Sequence, residues 1–152
     1  MKTLSKLIII SSILFAASNL YAEAPHGHDH DAPAGGPKGG KLFENTNPQA
    51  EFYLEKDRTA TITFYDQSLT PVPASTQEVT VIVNIGADKV EVPFEKNGDV
   101  LLSKGAFPEG SANPLVVQFK QDAGSKIQNF RFKLDTAICG ECKRAEYACI
   151  CH

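Results

Sequence analysis

The chain has 152 residues, with 15 Lys and Arg against 18 Asp and Glu, and a formal net charge of −3. That length suits one domain and is short for two. The acidic balance argues against nucleic acid and anionic membrane as partners, because both need clustered Lys and Arg.

In chain order, Lys2 and Lys6 come first, with a short apolar run over residues 7–17 (LIIISSILFAA) and small or polar residues to Ala22. This is the layout of a secretory signal peptide, residues 1–22, with cleavage expected after Ala22. The run is shorter than the ~20 apolar residues that a spanning helix needs, so no membrane insertion is expected once the leader is cut. The expected location is periplasmic or secreted. Loss of the two lysines takes the formal charge from −3 to −5. Export also places the cysteines in an oxidising compartment, where disulfides form readily.

Residues 23–40 (EAPHGHDHDAPAGGPKGG) carry no large apolar side chain. Such a stretch cannot bury enough surface to offset its ordering entropy, so it reads as a flexible, disordered tail. From Lys41 the pattern becomes alternation. Ala50, Phe52 and Leu54 alternate with polar neighbours. So do Ala60, Ile62 and Phe64; Val79, Val81, Val83 and Ile85; Val90, Val92 and Phe94; Leu115, Val117 and Phe119; and Phe130, Phe132 and Leu134. Period 2 repeated this often marks strands with one buried face. Shorter candidates lie at residues 42–44 and 100–103. Asn97-Gly98 is a strong hairpin signal, since both residues tolerate positive φ. Pro93 sits on the outward register of its segment, which suggests an edge strand. Residues 67–77 and 105–113 are rich in Pro, Gly and Ser and suit connections between two sheets.

The expected fold is all-β: an antiparallel β-sandwich of immunoglobulin-like architecture over residues 41–134, with about seven or eight strands. The segment of about 94 residues is close to the ~100 of such domains. Residues 135–152 form a separate Cys-rich C-terminal segment.

Chemistry-bearing residues are segregated. Between residues 41 and 134 there is no His, Cys or Met. No paired carboxylates, nucleophile elbow or triad stands out, so no enzyme activity is expected. Residues 35–41 (GGPKGGK) formally fit G-x-x-x-x-G-K, but Leu42 stands where a phosphate-binding loop needs Ser or Thr.

His26, His28 and His30, with Asp29 and Asp31 between and after them, form one possible ligand set. Alternate imidazoles converge readily on zinc, copper or nickel, and carboxylates add oxygen ligands. Cys139, Cys142, Cys149 and Cys151, followed by His152, form the other. Three readings compete for the cysteines. Two disulfides suit the compartment, and pairing between the C-x-x-C and C-x-C pairs avoids small strained rings. A metal site suits the spacing: C-x-x-C presents two thiolates from one turn, four ligands complete a tetrahedron, and His152 could replace one. A thiol–disulfide oxidoreductase lacks its usual βαβ context. Lys143 and Arg144 would favour a thiolate at Cys142 under either of the last two readings.

The order H-x-H-x-H at 26–30, then Gly36-Pro37-Lys38-Gly39-Gly40-Lys41-Leu42-Phe43-Glu44, then Ala50-Glu51-Phe52, resembles the N-terminal β-domain of periplasmic adaptor subunits from heavy-metal efflux systems of the resistance–nodulation–division type. The resemblance implies a periplasmic location, a β-sandwich, cation handling, and a link between His26, His28, His30 and metal. The chain lacks room for an adaptor's helical hairpin and further domains, and the Cys-rich segment is outside that pattern.

The resulting expectation is a metal-cation-binding protein, a scavenger or carrier of zinc or copper, with an envelope efflux complex as a partner. The competing expectation is a structural or protein-interaction sandwich whose C-terminal segment is stapled by disulfides.

Overall fold

Strands form where the alternation is continuous, and turns where Gly, Asn, Asp and Pro interrupt it. The computed structural model describes residues 35–110 and 112–151. The expected signal peptide, His26, His28 and His30 with the rest of residues 1–34, and His152 lie outside the described residues. The elements are β1 (Lys41–Phe43), β2 (Gln49–Leu54), β3 (Ala60–Tyr65), β4 (Pro71–Val72), β5 (Glu78–Ile85), β6 (Asp88–Asn97), β7 (Val100–Ser103), β8 (Asn113–Lys120) and β9 (Gln128–Leu134). A 3₁₀ turn, Glu146–Ala148, follows. Every strand pair is antiparallel.

The strands make a two-layer β-sandwich joined by one strand. β6 pairs with β5 through Pro93 and with β7 from Phe94 onward, so it changes layers at that point. One layer is β1-β2-β3-β7 with the second half of β6, and β4 beside β3; the other is the first half of β6 with β5-β8-β9. Each half of β6 has a neighbour on one side only, which tolerates the amide hydrogen that Pro93 lacks. Apart from β1, the pairing follows the ABED and CFG order of immunoglobulin constant-type domains.

The inward registers make the core. Phe52, Ile62, Phe64, Val81, Val83, Leu115, Val117 and Phe119 are all buried. Phe43 of β1 stacks on Phe130 of β9, with ring centroids 4.4 Å apart, so side chains from the two edge strands close the layers against each other. Burial of aromatic and branched side chains in this layer, at roughly 1.5–3 kcal/mol each, is the main stabilising term.

Three details depart from the alternation. Val90 lies on the inward register yet is 39% exposed, and its neighbours Asp88, Lys89 and Glu91 at the start of β6 are exposed too. β4 is a two-residue strand inside the expected connection at 67–77. Most informative, β3 is buried at all six positions, although alternation predicts one solvent face.

The cover on that face comes from residues 35–40, which the sequence places in the tail. Gly36 and Gly40 close a turn: Gly36 N–H donates to Gly40 O (3.1 Å) and Gly39 N–H to Gly36 O (3.0 Å). The Glu51 carboxyl lies beneath it, fully buried. It accepts from Gly40 N–H (2.7 Å), Lys38 N–H (3.2 Å) and Tyr65 O–H (2.7 Å). A Cβ on Gly36 would stand 2.1 Å from Glu51 Cδ, and one on Gly40 2.2 Å from Phe52 O. The glycines are therefore required by close approach. The Gly-Pro-x-Gly-Gly pattern and Glu51 form one structural unit that caps the outer face of β2 and β3.

Candidate metal centre

The C-terminal segment folds back onto the sandwich, which differs from a pendant tail. After β9, Tyr147 N–H donates to Asp135 O (2.9 Å) and Glu146 N–H to Ala137 O (2.8 Å). The Tyr147 ring is buried, edge-on to Phe52 at 5.9 Å and stacked near Phe132 at 6.2 Å. Its hydroxyl accepts the amide hydrogen of Leu54 (3.1 Å). One aromatic residue thus ties the segment to the ends of β2 and β9. Sequence reasoning missed Tyr147; an aromatic residue within an otherwise small and polar Cys-rich stretch was the available signal.

Between these anchors the chain makes a knuckle. Ile138 bridges to Ala145, Cys139 N–H donates to Arg144 O (2.8 Å), and Lys143 N–H donates to Cys139 O (3.2 Å). Lys143 takes φ 61°, a left-handed conformation that lets the turn close immediately after Cys142. For a non-glycine residue this costs about 1–2 kcal/mol. The knuckle is held laterally by Arg144, whose guanidinium donates to Gly36 O (3.0 Å) and fills the space beside Gly35.

This backbone brings all four cysteines together. Their sulfurs lie within 4.8 Å of one another. Cys139 and Cys149 are 3.3 Å apart, Cys142 and Cys149 3.8 Å, and Cys139 and Cys151 3.9 Å. All four are free thiols. A disulfide would need about 2.05 Å. A tetrahedral ion with sulfur ligands at ~2.3 Å places its sulfurs about 3.8 Å apart. The sulfur separations, from 3.3 Å up to at most 4.8 Å, bracket that value, so the four cysteines could hold a metal ion. Among the described residues the C-x-x-C is followed by the short 3₁₀ turn Glu146–Ala148 and by no α-helix.

Electrostatics at the tetrad are uneven. The amides of Ile150 and Arg144 donate to the Cys142 sulfur and bring its pKa down to about 6. At Cys149 the amide of Cys151 acts in the same direction, but the neighbouring thiols and burial outweigh it and push that thiol up. Close packing of four groups that would each become negative explains the split: the first charge opposes the rest. A bound cation would remove this opposition. Cys139 and Cys149 are buried, Cys142 is half-buried and Cys151 is exposed, so one side of the tetrad faces solvent.

A pH dependence follows for the metal-stripped protein. Cys142 has a folded pKa below its unfolded value, so its thiolate contributes stability above the unfolded pKa near 9. That contribution is lost as pH falls through about 6. The same thiolate is the reactive species. Iodoacetamide should therefore modify Cys142 first, with a rate that is half-maximal near pH 6, as read by peptide mass spectrometry. A midpoint near 8.5 would contradict the amide–sulfur bonds.

Of the residues singled out by sequence, the structure brings Cys139, Cys142, Cys149 and Cys151 into one site; His26, His28, His30 and His152 lie outside the described residues. Gly35, five positions after His30, is at the Arg144 side of the knuckle. No protein-family model, curated protein or solved structure matches the chain.

Proposed function

We propose that this is an exported metal-binding protein whose Cys139, Cys142, Cys149 and Cys151 hold one zinc-class ion as a tetrathiolate. The observation that carries the reading is the mutual approach of four free sulfurs within 4.8 Å. A closed set of four sulfurs suits zinc, and soft thiolates also favour copper(I). Occupancy by metal would protect the thiols in an oxidising compartment, since a coordinated thiolate is a poorer target for oxidants. The exposed side at Cys142 and Cys151 supports a scavenging or carrier role, because an incoming ligand could reach the ion there. His26, His28 and His30 would collect borderline ions, and the resemblance to efflux adaptors supports a periplasmic location and an efflux complex as partner. The reading assigns no catalytic step to any residue.

A second reading is favoured by one observation. Tyr147 and Ala148 belong to the core, so an ion at the tetrad would also clamp the C-terminal segment to the sandwich. In that case the metal is structural and the sandwich is an interaction module.

The test is export of the protein with its own leader, purification without a tag, and parallel measurement of metal and thiols. One zinc or copper ion per chain, with four thiols titratable after chelation and denaturation, is the expected result. A metal-free protein with all four cysteines in disulfides would falsify the proposal. Exchange of the ion with a thiolate chelator within minutes favours the carrier role; retention until unfolding favours the clamp.

A further inference from the structure

A cleft of about 500 Å³ lies between the knuckle and the end of β2 with its following turn. Five of the chain's 15 Lys and Arg residues line it, against a single carboxylate, Glu55. That concentration is unexpected on a chain with net charge −3. Lys38 is partly neutralised by Glu55, at 3.6 Å. Lys56, Arg58, Lys143 and Arg144 make no ion pair among the described residues.

Four of the five cations are nevertheless positioned. Arg58 donates to the carbonyls of Phe107 and Pro108, Arg144 to that of Gly36, and Lys143 to that of Gly140. Lys38 sits over the Tyr53 ring at 5.2 Å. Neutral carbonyls fix these side chains without cancelling their charge. Binding an anion then costs less side-chain ordering than on an ordinary lysine-bearing surface. The cleft also presents apolar surface, with Ile138 65% exposed at its rim. A large exposed apolar side chain amid uncompensated cations suits a ligand that is both acidic and apolar.

We propose that this cleft binds an acidic segment of a partner protein, two carboxylates flanking an apolar side chain. One carboxylate would meet Lys143 and Arg144 on the knuckle wall, the other Lys56 and Arg58 on the opposite wall, and the apolar side chain would cover Ile138. A polyanion such as nucleic acid or a membrane surface needs an extended basic face, and an acidic chain repels it outside the cleft. A short peptide needs only the cleft. The proposal rests on the tetrad only because the knuckle positions Lys143 and Arg144.

The test uses the full mature chain and a fluorescein-labelled Asp-Glu-Leu-Asp-Glu peptide in anisotropy titrations, with metal content measured on the same samples. Lys56→Ala removes an exposed cation. Lys143→Gly removes another and places glycine at a left-handed position it adopts without strain; its metal content is read alongside, because Lys143 closes the turn at Cys142. Saturable binding is expected, weakened about fivefold by each substitution, on the scale of single exposed charge pairs. It should also weaken with salt. Absence of saturable binding, or an affinity equal to that of the parent chain in both variants at unchanged metal content, would overturn the proposal. Complete displacement by millimolar inorganic phosphate would overturn it too, by showing a general oxyanion site. Metal-free samples that still bind the peptide would leave this site standing while the metal reading falls.

Discussion

Replacing Cys149 with serine is expected to weaken metal binding by more than about 100-fold and to loosen the C-terminal segment from the sandwich. Loss of outer contacts to a metal ligand alone typically weakens binding by about 10–100-fold, so loss of a ligand should exceed that. Cys149 is buried, 3.3 Å from Cys139 and 3.8 Å from Cys142. A serine hydroxyl neither ionises near neutral pH nor suits a soft ion. Binding of an ion to the folded state alone stabilises it by mass action, about 4 kcal/mol at a thousandfold excess over Kd. The parent protein should therefore show a thermal midpoint that rises with added zinc, and the variant one that does not. Amide exchange in residues 137–151 should accelerate in the variant while β5 and β8 stay protected. Cys151→Ser, at the exposed corner, should weaken the ion with less effect on exchange. An unchanged stoichiometry and midpoint in Cys149→Ser would remove the tetrad from consideration.

The largest expected loss of stability outside the tetrad comes from Glu51→Ala, about 3–5 kcal/mol. The carboxyl serves three donors at once, from Gly40, Lys38 and Tyr65, in a fully buried place. A buried donor left without its acceptor costs about 1–3 kcal/mol, and the truncated side chain leaves a cavity as well. Gly36→Ala should act in the same direction, because its methyl group would overlap that carboxyl. The contrast is Glu78→Ala on β5, which breaks an exposed pair with Lys120 at 3.5 Å and should cost under about 1 kcal/mol. Urea unfolding midpoints measured side by side give the comparison. A Glu51 variant as mild as the Glu78 variant would show that the loop over β2 and β3 contributes little to the fold.

Much of the sandwich was legible because burial and strand geometry share a period. Val79, Val81 and Val83, or Leu115, Val117 and Phe119, declare their inward register without any partner in view. Glu51 could not be read that way. Its place in the alternation is polar and outward, and only the return of Gly36–Gly40 across the sheet buries it. Val90 failed in the opposite sense, because an apolar residue in register is buried only where another layer lies opposite.

By itself, the sequence determined the strand pattern, the absence of His, Cys and Met from residues 41–134, and the gathering of all four cysteines into residues 139–151. Those properties depend on residue type and local periodicity alone. The tertiary structure decided that Cys139 and Cys142 meet Cys149 and Cys151 within 4.8 Å rather than at bonding distance. That outcome depends on Tyr147 reaching the ends of β2 and β9, and on Arg144 reaching Gly36, across 93 and 108 positions of chain. Spacing along a chain limits which sulfurs can approach one another; the direction of each Cα–Cβ bond, set by these distant anchors, decides how closely they do.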